Sequence, residues 1–197
     1  MPHQATEVRL GVFGGSFDPI HNGHLILAQV AREALGLDRV LLVVSGSQPL
    51  KPGHGAPAAD RLRMVELAVA GIAGLVADGR EVVRGGPSYT VDTLRQLGEE
   101  YPDAELVLLL GSDAAAGLAA WREPEAIGRL ARIVTYRRGG EALPPGIEYF
   151  EVPQIEISST IVRERAAAGK SLRGWVPEVV ADYISGLDLY RTRREVG

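Results

Sequence analysis

The chain has 197 residues, with 21 Lys and Arg against 25 Asp and Glu for a formal net charge of −4, four histidines (His3, His21, His24, His54) and no cysteine. The missing thiols exclude a disulfide framework, a cysteine nucleophile and any Cys-ligated zinc or iron–sulfur centre. The mildly acidic balance lacks the basic face of a general nucleic-acid binder, and apolar runs such as Val40–Val44 and Leu106–Leu110 are far too short to cross a bilayer.

The opening MPHQATEVRL holds no apolar stretch of signal-peptide length, so a soluble cytoplasmic domain with no membrane or nucleic-acid partner is expected. In chain order, short apolar runs at Val8–Phe13, Val40–Val44, Glu81–Val83, Glu105–Leu110 and Arg132–Tyr136 read as strands covered on both faces. Between them, Gly23–Leu35 is apolar almost all round and reads as a well-buried helix. Ala58–Ala73 and Val91–Glu100 are more amphipathic, the latter with a stripe of Val91, Leu94 and Leu97. Strand alternating with helix predicts an α/β fold, a Rossmann-like doubly wound parallel sheet with right-handed crossovers.

After Tyr136 the pattern changes. Arg137–Pro145 holds Gly139, Gly140, Pro144 and Pro145 and reads as a loop. A short strand near Glu148–Val152 follows, then helices near Thr160–Ala168 and Pro177–Ser185, and the terminal RTRREVG reads as a frayed, solvated end. One domain over 1–197 is expected, with a sheet core over about 1–136 and a small helical carboxyl-terminal portion over about 153–187.

The most informative segment is GVFGGSFDPIHNGH, Gly11–His24, which follows the first strand and opens the first helix. In an open parallel sheet such a turn lies at the carboxyl end of a strand, where ligands bind. Gly14 and Gly15 would let backbone N–H groups approach a phosphate, and Asn22 is the expected N-cap, putting His24 in the first helical turn. His21 and His24 would then share the space above the helix N-terminus, which favours anions. Taken singly, these features have plainer readings: a tight turn at Gly14-Gly15, a turn initiator at Asp18-Pro19, and a metal or surface histidine pair. Their conjunction favours a phosphate site.

Two other phosphate motifs fit poorly. Gly169-Lys170-Ser171 completes a P-loop ending, but the position five before Gly169 is Glu164 and a helix precedes it. A dinucleotide fingerprint needs G-x-G-x-x-G, whereas the glycines here are Gly11, Gly14 and Gly15, and no acidic residue ends the second strand. A redox Rossmann protein is therefore disfavoured.

Further along, Lys51 follows the second strand on the ligand side of the sheet, where a solvated loop lysine would be the plain reading. PSYTVDTL introduces a helix with Ser88 or Thr90 as cap. Gly111-Ser112-Asp113 follows the fourth strand; Asp113 would accept ribose hydroxyls or simply cap. Trp121 would stack on a flat heteroaromatic ring or sit in the core. In ISSTIVR, Ser158 or Ser159 would cap a helix, and Arg163 in its first turns opposes the helix dipole unless a polyphosphate reverses the penalty. The alternative is an ion pair of Arg163 with Glu164 or Asp182.

These pieces, in this order, resemble the bacterial nicotinate-nucleotide adenylyltransferase family of the nucleotidyltransferase superfamily, over about Val8–Ile184. GGSFDPIHNGH is similar to its first motif, with His21 and His24 on the H-x-G-H histidines. PSYTVDTL, GSD followed by Trp121, and ISSTIVRERAAAGKSLRGWVPEVVADYI match in turn. One departure stands out: where the family usually reads P-P-H-K, this chain has Gln48-Pro49-Leu50-Lys51.

The resemblance implies the substrates ATP and nicotinate mononucleotide, the products nicotinate adenine dinucleotide and pyrophosphate, and Mg²⁺ carried through phosphates rather than side chains. It implies His21, His24, Lys51 and Arg163 as catalytic. Gly14, Gly15, Ser16, Phe17, Gly111, Asp113, Ser158, Ser159 and Thr160 would bind ATP. Ser88, Thr90 and Trp121 would bind the nicotinate nucleotide. Transfer to nicotinamide mononucleotide or another phosphate acceptor, and a non-catalytic nucleotide-binding module, stand as alternatives. Oligomeric state is not encoded in any of these motifs.

Overall fold

Successive residues of a strand face opposite sides of its sheet, and here both sides are covered. The computed structural model describes residues 8–47, 55–138 and 148–191. Its strands are β1 (Val8–Gly15), β2 (Arg39–Val44), β3 (Leu75–Asp78), β4 (Ala104–Gly111), β5 (Arg132–Arg138) and β6 (Tyr149–Val152). They form one parallel sheet in the order β3-β2-β1-β4-β5-β6.

Leu10, Val12, Leu41, Val43, Leu106 and Leu108 face one side. There they meet Val91, Leu94 and Leu97 of α4 (Thr90–Glu100) and Ile127 of α6 (Pro124–Leu130). Phe13, Val40, Leu42, Val44, Val107 and Leu109 face the other. They pack on α1 (Asn22–Ala34), α2 (Ala58–Val69), α7 (Ser159–Ala167) and α8 (Glu178–Gly186). The two faces explain why the strands read as unbroken apolar runs.

Several expectations are corrected. Glu81–Val83 is not a strand but the middle of the short helix α3 (Arg80–Arg84), closed by Gly85 at φ 69°. The third strand is Leu75–Asp78 instead; a three-residue apolar run carries too little periodicity to separate the two. Helix α2 stops at Val69, short of Ala73, and Gly71 beyond it adopts φ 82°. Helix α1 buries Leu25, Leu27, Ala28 and Ala31 while Ile26 is 40 % exposed, so it is amphipathic rather than buried all round. The sheet runs past 136 to Val152, because β6 pairs with β5. Two short helices, α5 (Ser112–Ala116) and α6, were not expected.

The strand order reverses between β1 and β4. β1 stays paired with β2 as far as Gly15, and β4 with β5 as far as Gly111, but β1 and β4 pair only up to Val12 and Leu108. Their carboxyl ends part there, at the crevice position where sheets of this order bind ligands.

Candidate active site at the carboxyl edge of the sheet

The turn after β1 is built around its glycines. A Cβ at Gly15 would lie 2.9 Å from the Phe17 ring, whereas a Cβ at Gly14 would meet nothing within 4 Å. Packing explains Gly15; Gly14 faces open space, as a backbone does that lets a ligand approach. Phe17 sits in the left-handed region at φ 45° with its ring 1 % exposed, held there by burial. A cis Asp18–Pro19 peptide follows.

The chain then enters α1 one residue earlier than expected. His21, not Asn22, is the N-cap, in a capping-box arrangement with His24. The His21 amide donates to His24 Nδ1 at 3.2 Å, which makes that nitrogen an acceptor and leaves Nε2 to carry the proton of a neutral ring. The two imidazoles stack at 3.6 Å between centroids, and His24 stands edge-on to Phe17 at 5.0 Å. Gly23 has a steric reason: its Cβ would lie 3.1 Å from His21 Nδ1. Asn22, released from capping, donates Nδ2 to Gly174 O and its amide to Trp175 O, both at 2.9 Å.

Helix α7 is fastened to the same turn. Ser158 is its cap, accepting from Ile161 N at 3.2 Å. Ser159 Oγ donates to Pro19 O at 2.9 Å. Arg163 donates Nη1 to Asp18 O at 2.7 Å and Nη2 to Thr160 Oγ1 at 3.2 Å, pairing with neither Glu164 nor Asp182. The glycine turn, both histidines, Ser158, Ser159, Thr160 and Arg163 are thus brought together across about 140 residues of chain.

Beneath them lies a buried polar layer that no sequence motif announced. Asp18, 5 % exposed, accepts from Gly55 N at 2.6 Å, Ala56 N at 3.1 Å and Tyr190 Oη at 2.8 Å. Burial foremost, and then the Asp18 carboxylate, push the Tyr190 phenol far above the ordinary tyrosine range. Arg61 is wholly buried and donates to Ser16 O at 2.6 Å, Gly46 O at 3.1 Å and Ala56 O at 3.3 Å. Desolvation lowers its pKa against the opposing pull of Asp18. A signal for Arg61 existed: it shares the helical spacing of Met64, Val65 and Ala68, all on the buried face of α2.

On the other side of the crevice, neither Ser88 nor Thr90 caps α4; Tyr89 is at the N-cap and its side chain makes no cap bond. Ser88 Oγ instead accepts from Gly46 N at 2.9 Å, and its amide donates to Ser47 O at 2.8 Å, docking this segment on the end of β2. Thr90 opens α4. Trp121 is half-buried against Leu118 and the cluster of that face, and the neighbouring Arg122 lies 4.8 Å over the Tyr89 ring. Asp113 is exposed in the first turn of α5, not its cap, and Gly111 is glycine because a Cβ there would lie 2.7 Å from Tyr136 Oη. Lys51 and Leu50 lie outside the described residues.

Gly169 ends α7 with φ 65°, its amide on Ala166 O and that of Lys170 on Arg165 O, so the P-loop look-alike is a helix C-terminus. Among the described residues, no group of three or more His, Cys, Asp or Glu could hold a metal ion, and no helix is long and apolar enough to cross a membrane.

Comparison with known proteins identifies the family and the fold. Residues 12–165 match a family model described as cytidylyltransferase-like. Curated relatives from Chlorobium luteolum (46 % identical, 93 % of this chain and 99 % of the relative) and Thermus thermophilus (45 %, 93 % and 100 %) carry the name "Probable nicotinate-nucleotide adenylyltransferase". One from Thermomicrobium roseum does so at 43 % identity, over 93 % of this chain and 92 % of its own. A solved structure, Plasmodium falciparum nicotinic acid mononucleotide adenylyltransferase complexed with NaAD, superposes with TM-score 0.77 over 93 % of this chain and 97 % of that one. At 19 % identity it shares the fold.

Proposed function

From the premise that the chain belongs to the nicotinate-nucleotide adenylyltransferase family, within the cytidylyltransferase-like group, we propose that it transfers the adenylyl group of ATP to nicotinate mononucleotide, giving nicotinate adenine dinucleotide and pyrophosphate in NAD biosynthesis. The observation that carries this reading is the junction of the glycine turn, His21, His24 and Arg163 at the crevice between β1 and β4.

The acceptor phosphate has a second pKa near 6 and is already a nucleophile at neutral pH. One of its oxygens attacks the α-phosphorus of ATP. The bond from that phosphorus to the oxygen bridging to the β-phosphate breaks, and pyrophosphate leaves with the electron pair. No general base and no covalent enzyme intermediate are required, so the protein's work is in-line placement and charge neutralisation.

In this mechanism His21 and His24 serve the α-phosphate and its transition state. Arg163 holds the β- and γ-phosphates with the start of α7. Its two intramolecular bonds leave other guanidinium N–H donors available, and it carries charge at every relevant pH. Ser159 donates its hydroxyl proton to Pro19 O, so the phosphate donors proposed in this motif are Arg163, Thr160 and the first backbone amides of α7. Ser158 acts through its cap. Lys51 is proposed to screen phosphate charge. The backbone of Gly14, Gly15, Ser16 and Phe17, with Gly111 and Asp113, holds the adenylate.

The acceptor is assigned to Ser88, Thr90 and Trp121. Ser88 fixes the segment and Trp121 stacks on the pyridine ring. Because the N-cap of α4 offers no side-chain bond, the first amides of the helix stay available for the nicotinate carboxylate, which also suits the positive end of the dipole. That favours nicotinate over nicotinamide mononucleotide, whose amide is neutral.

Mg²⁺ favours oxygen ligands, and the side chains converging on the turn, His21, His24 and Arg163, offer nitrogen; the ion is therefore proposed to arrive on the phosphates of ATP. Bound there, it would neutralise phosphate charge. A cytoplasmic location goes with these substrates. The test is release of pyrophosphate from ATP on addition of nicotinate mononucleotide; tight ATP binding without turnover would reduce the protein to a nucleotide-binding module.

A further inference from the structure

Among the described residues, Arg61 is the bulkiest side chain to be wholly buried. Stability alone does not explain a cation there, since an apolar side chain of similar volume packs in such a place at less desolvation cost. Among the described residues no carboxylate makes an ion pair with its guanidinium, and Asp18 acts on it only through space. What the guanidinium does have is three carbonyls from three segments. Ser16 O belongs to the turn that carries His21 and His24. Gly46 O lies just beyond β2, and Ala56 O stands two residues before α2. Ala56 is held on both sides, its N–H by Asp18 and its C=O by Arg61.

Gly46 leads onward. Its amide donates to Ser88 Oγ, and the next carbonyl, Ser47 O, accepts from Ser88 N. A single planar fork therefore ties the ATP-side turn to the segment Pro87–Thr90 on the acceptor side, with two bonds intervening. A lysine reproduces this poorly, because its ammonium is a compact point charge on a flexible stem whereas the guanidinium spreads its donors over a rigid fork.

We propose that Arg61 is a positioning residue: without touching either substrate, it sets the placement of the α-phosphate turn relative to the acceptor-binding segment, and so the in-line geometry of the transfer. This rests on the adenylyl-transfer reading above. In-line transfer is sensitive to such placement, and a misplacement of about 1 Å costs on the order of 100-fold.

The test is Arg61→Lys, alone and combined with Ser88→Ala, in steady-state kinetics with ATP and nicotinate mononucleotide, with kcat expressed per titrated nucleotide site. The expected result is a fall in kcat of about 100-fold with each KM within about threefold of the parent, since each half-site survives. Ser88→Ala should then cost less when combined with Arg61→Lys than in the parent, because the link it weakens is already broken. Multiplying effects, or a kcat per site within about threefold of the parent, would overturn the proposal. Amide exchange gives a readout free of catalysis. Arg61→Lys should raise exchange at both 14–18 and 45–47, and, should that variant not fold, Ser88→Ala should do so more weakly at both. Exchange raised at 45–47 alone would refute the link. A parent chain that releases no pyrophosphate would sink the functional reading, while the exchange pattern would still judge Arg61.

Discussion

Two helices far apart in sequence each deliver an arginine to the segment Ser16–Asp18. From α2, Arg61 arrives below the turn, wholly buried, and gives its donors to three backbone carbonyls. From α7, Arg163 arrives above it, half-buried, and uses one donor on Asp18 O and one on Thr160. The side chains are chemically identical; their solvation assigns them different work. A guanidinium sealed among carbonyls is part of the scaffold, and one left partly in water beside two histidines is available to an anion.

Predictions from this contrast run from large effects to small. Arg61→Ala should lower unfolding free energy by about 3–5 kcal/mol, the scale for emptying a large buried site with three carbonyls left without their donor, as read by denaturant titration; a loss under about 1 kcal/mol would erase the distinction. Arg163→Ala should instead cost the fold less, about 1–3 kcal/mol for its bonds to Asp18 O and Thr160 Oγ1, and lower kcat by about 10²–10³-fold, as removing a transition-state donor does. His24→Ala belongs with Arg163→Ala: kcat should fall far more than ATP affinity, and an unchanged kcat would remove His24 from the chemistry.

Tyr190→Phe deletes a hydrogen bond to the Asp18 carboxylate and should cost about 1.5–3 kcal/mol. It also has a pH signature. The folded state holds the Tyr190 phenol protonated well above its ordinary range, so this contribution is complete below about pH 10 and is lost as pH rises beyond it, where the unfolded chain ionises first. The phenylalanine variant should show a flatter alkaline limb in stability against pH. Lys170→Ala, at the helix end that only looks like a P-loop, should change kcat/KM by less than about twofold, the size of a surface change away from any site; a large loss would place phosphate there.

How much of this was legible in the chain depended on the range of the interaction. The doubly wound sheet showed in the unbroken apolar runs, because strands covered on both faces need no alternation. Glu81–Val83 misled because three residues carry no period, and because Gly79 and Gly85 bracket a helix that short. The histidine turn was recognisable from its local density of Gly and His, yet the cap fell on His21, whose amide is held by His24 Nδ1 while Asn22 is drawn away to Gly174 O and Trp175 O. Arg61 could have been read from its place in the apolar stripe of α2. Tyr190 could not: its partner Asp18 lies 172 residues away, and nothing beside it in the sequence hints at a buried phenol.

The most direct measurement offers ATP with equimolar nicotinate and nicotinamide mononucleotides in one reaction and resolves both products. The account predicts that the nicotinate acceptor is consumed first and that nicotinate adenine dinucleotide and pyrophosphate appear in equal amounts. Absence of pyrophosphate, or preferential consumption of the amide, would contradict it.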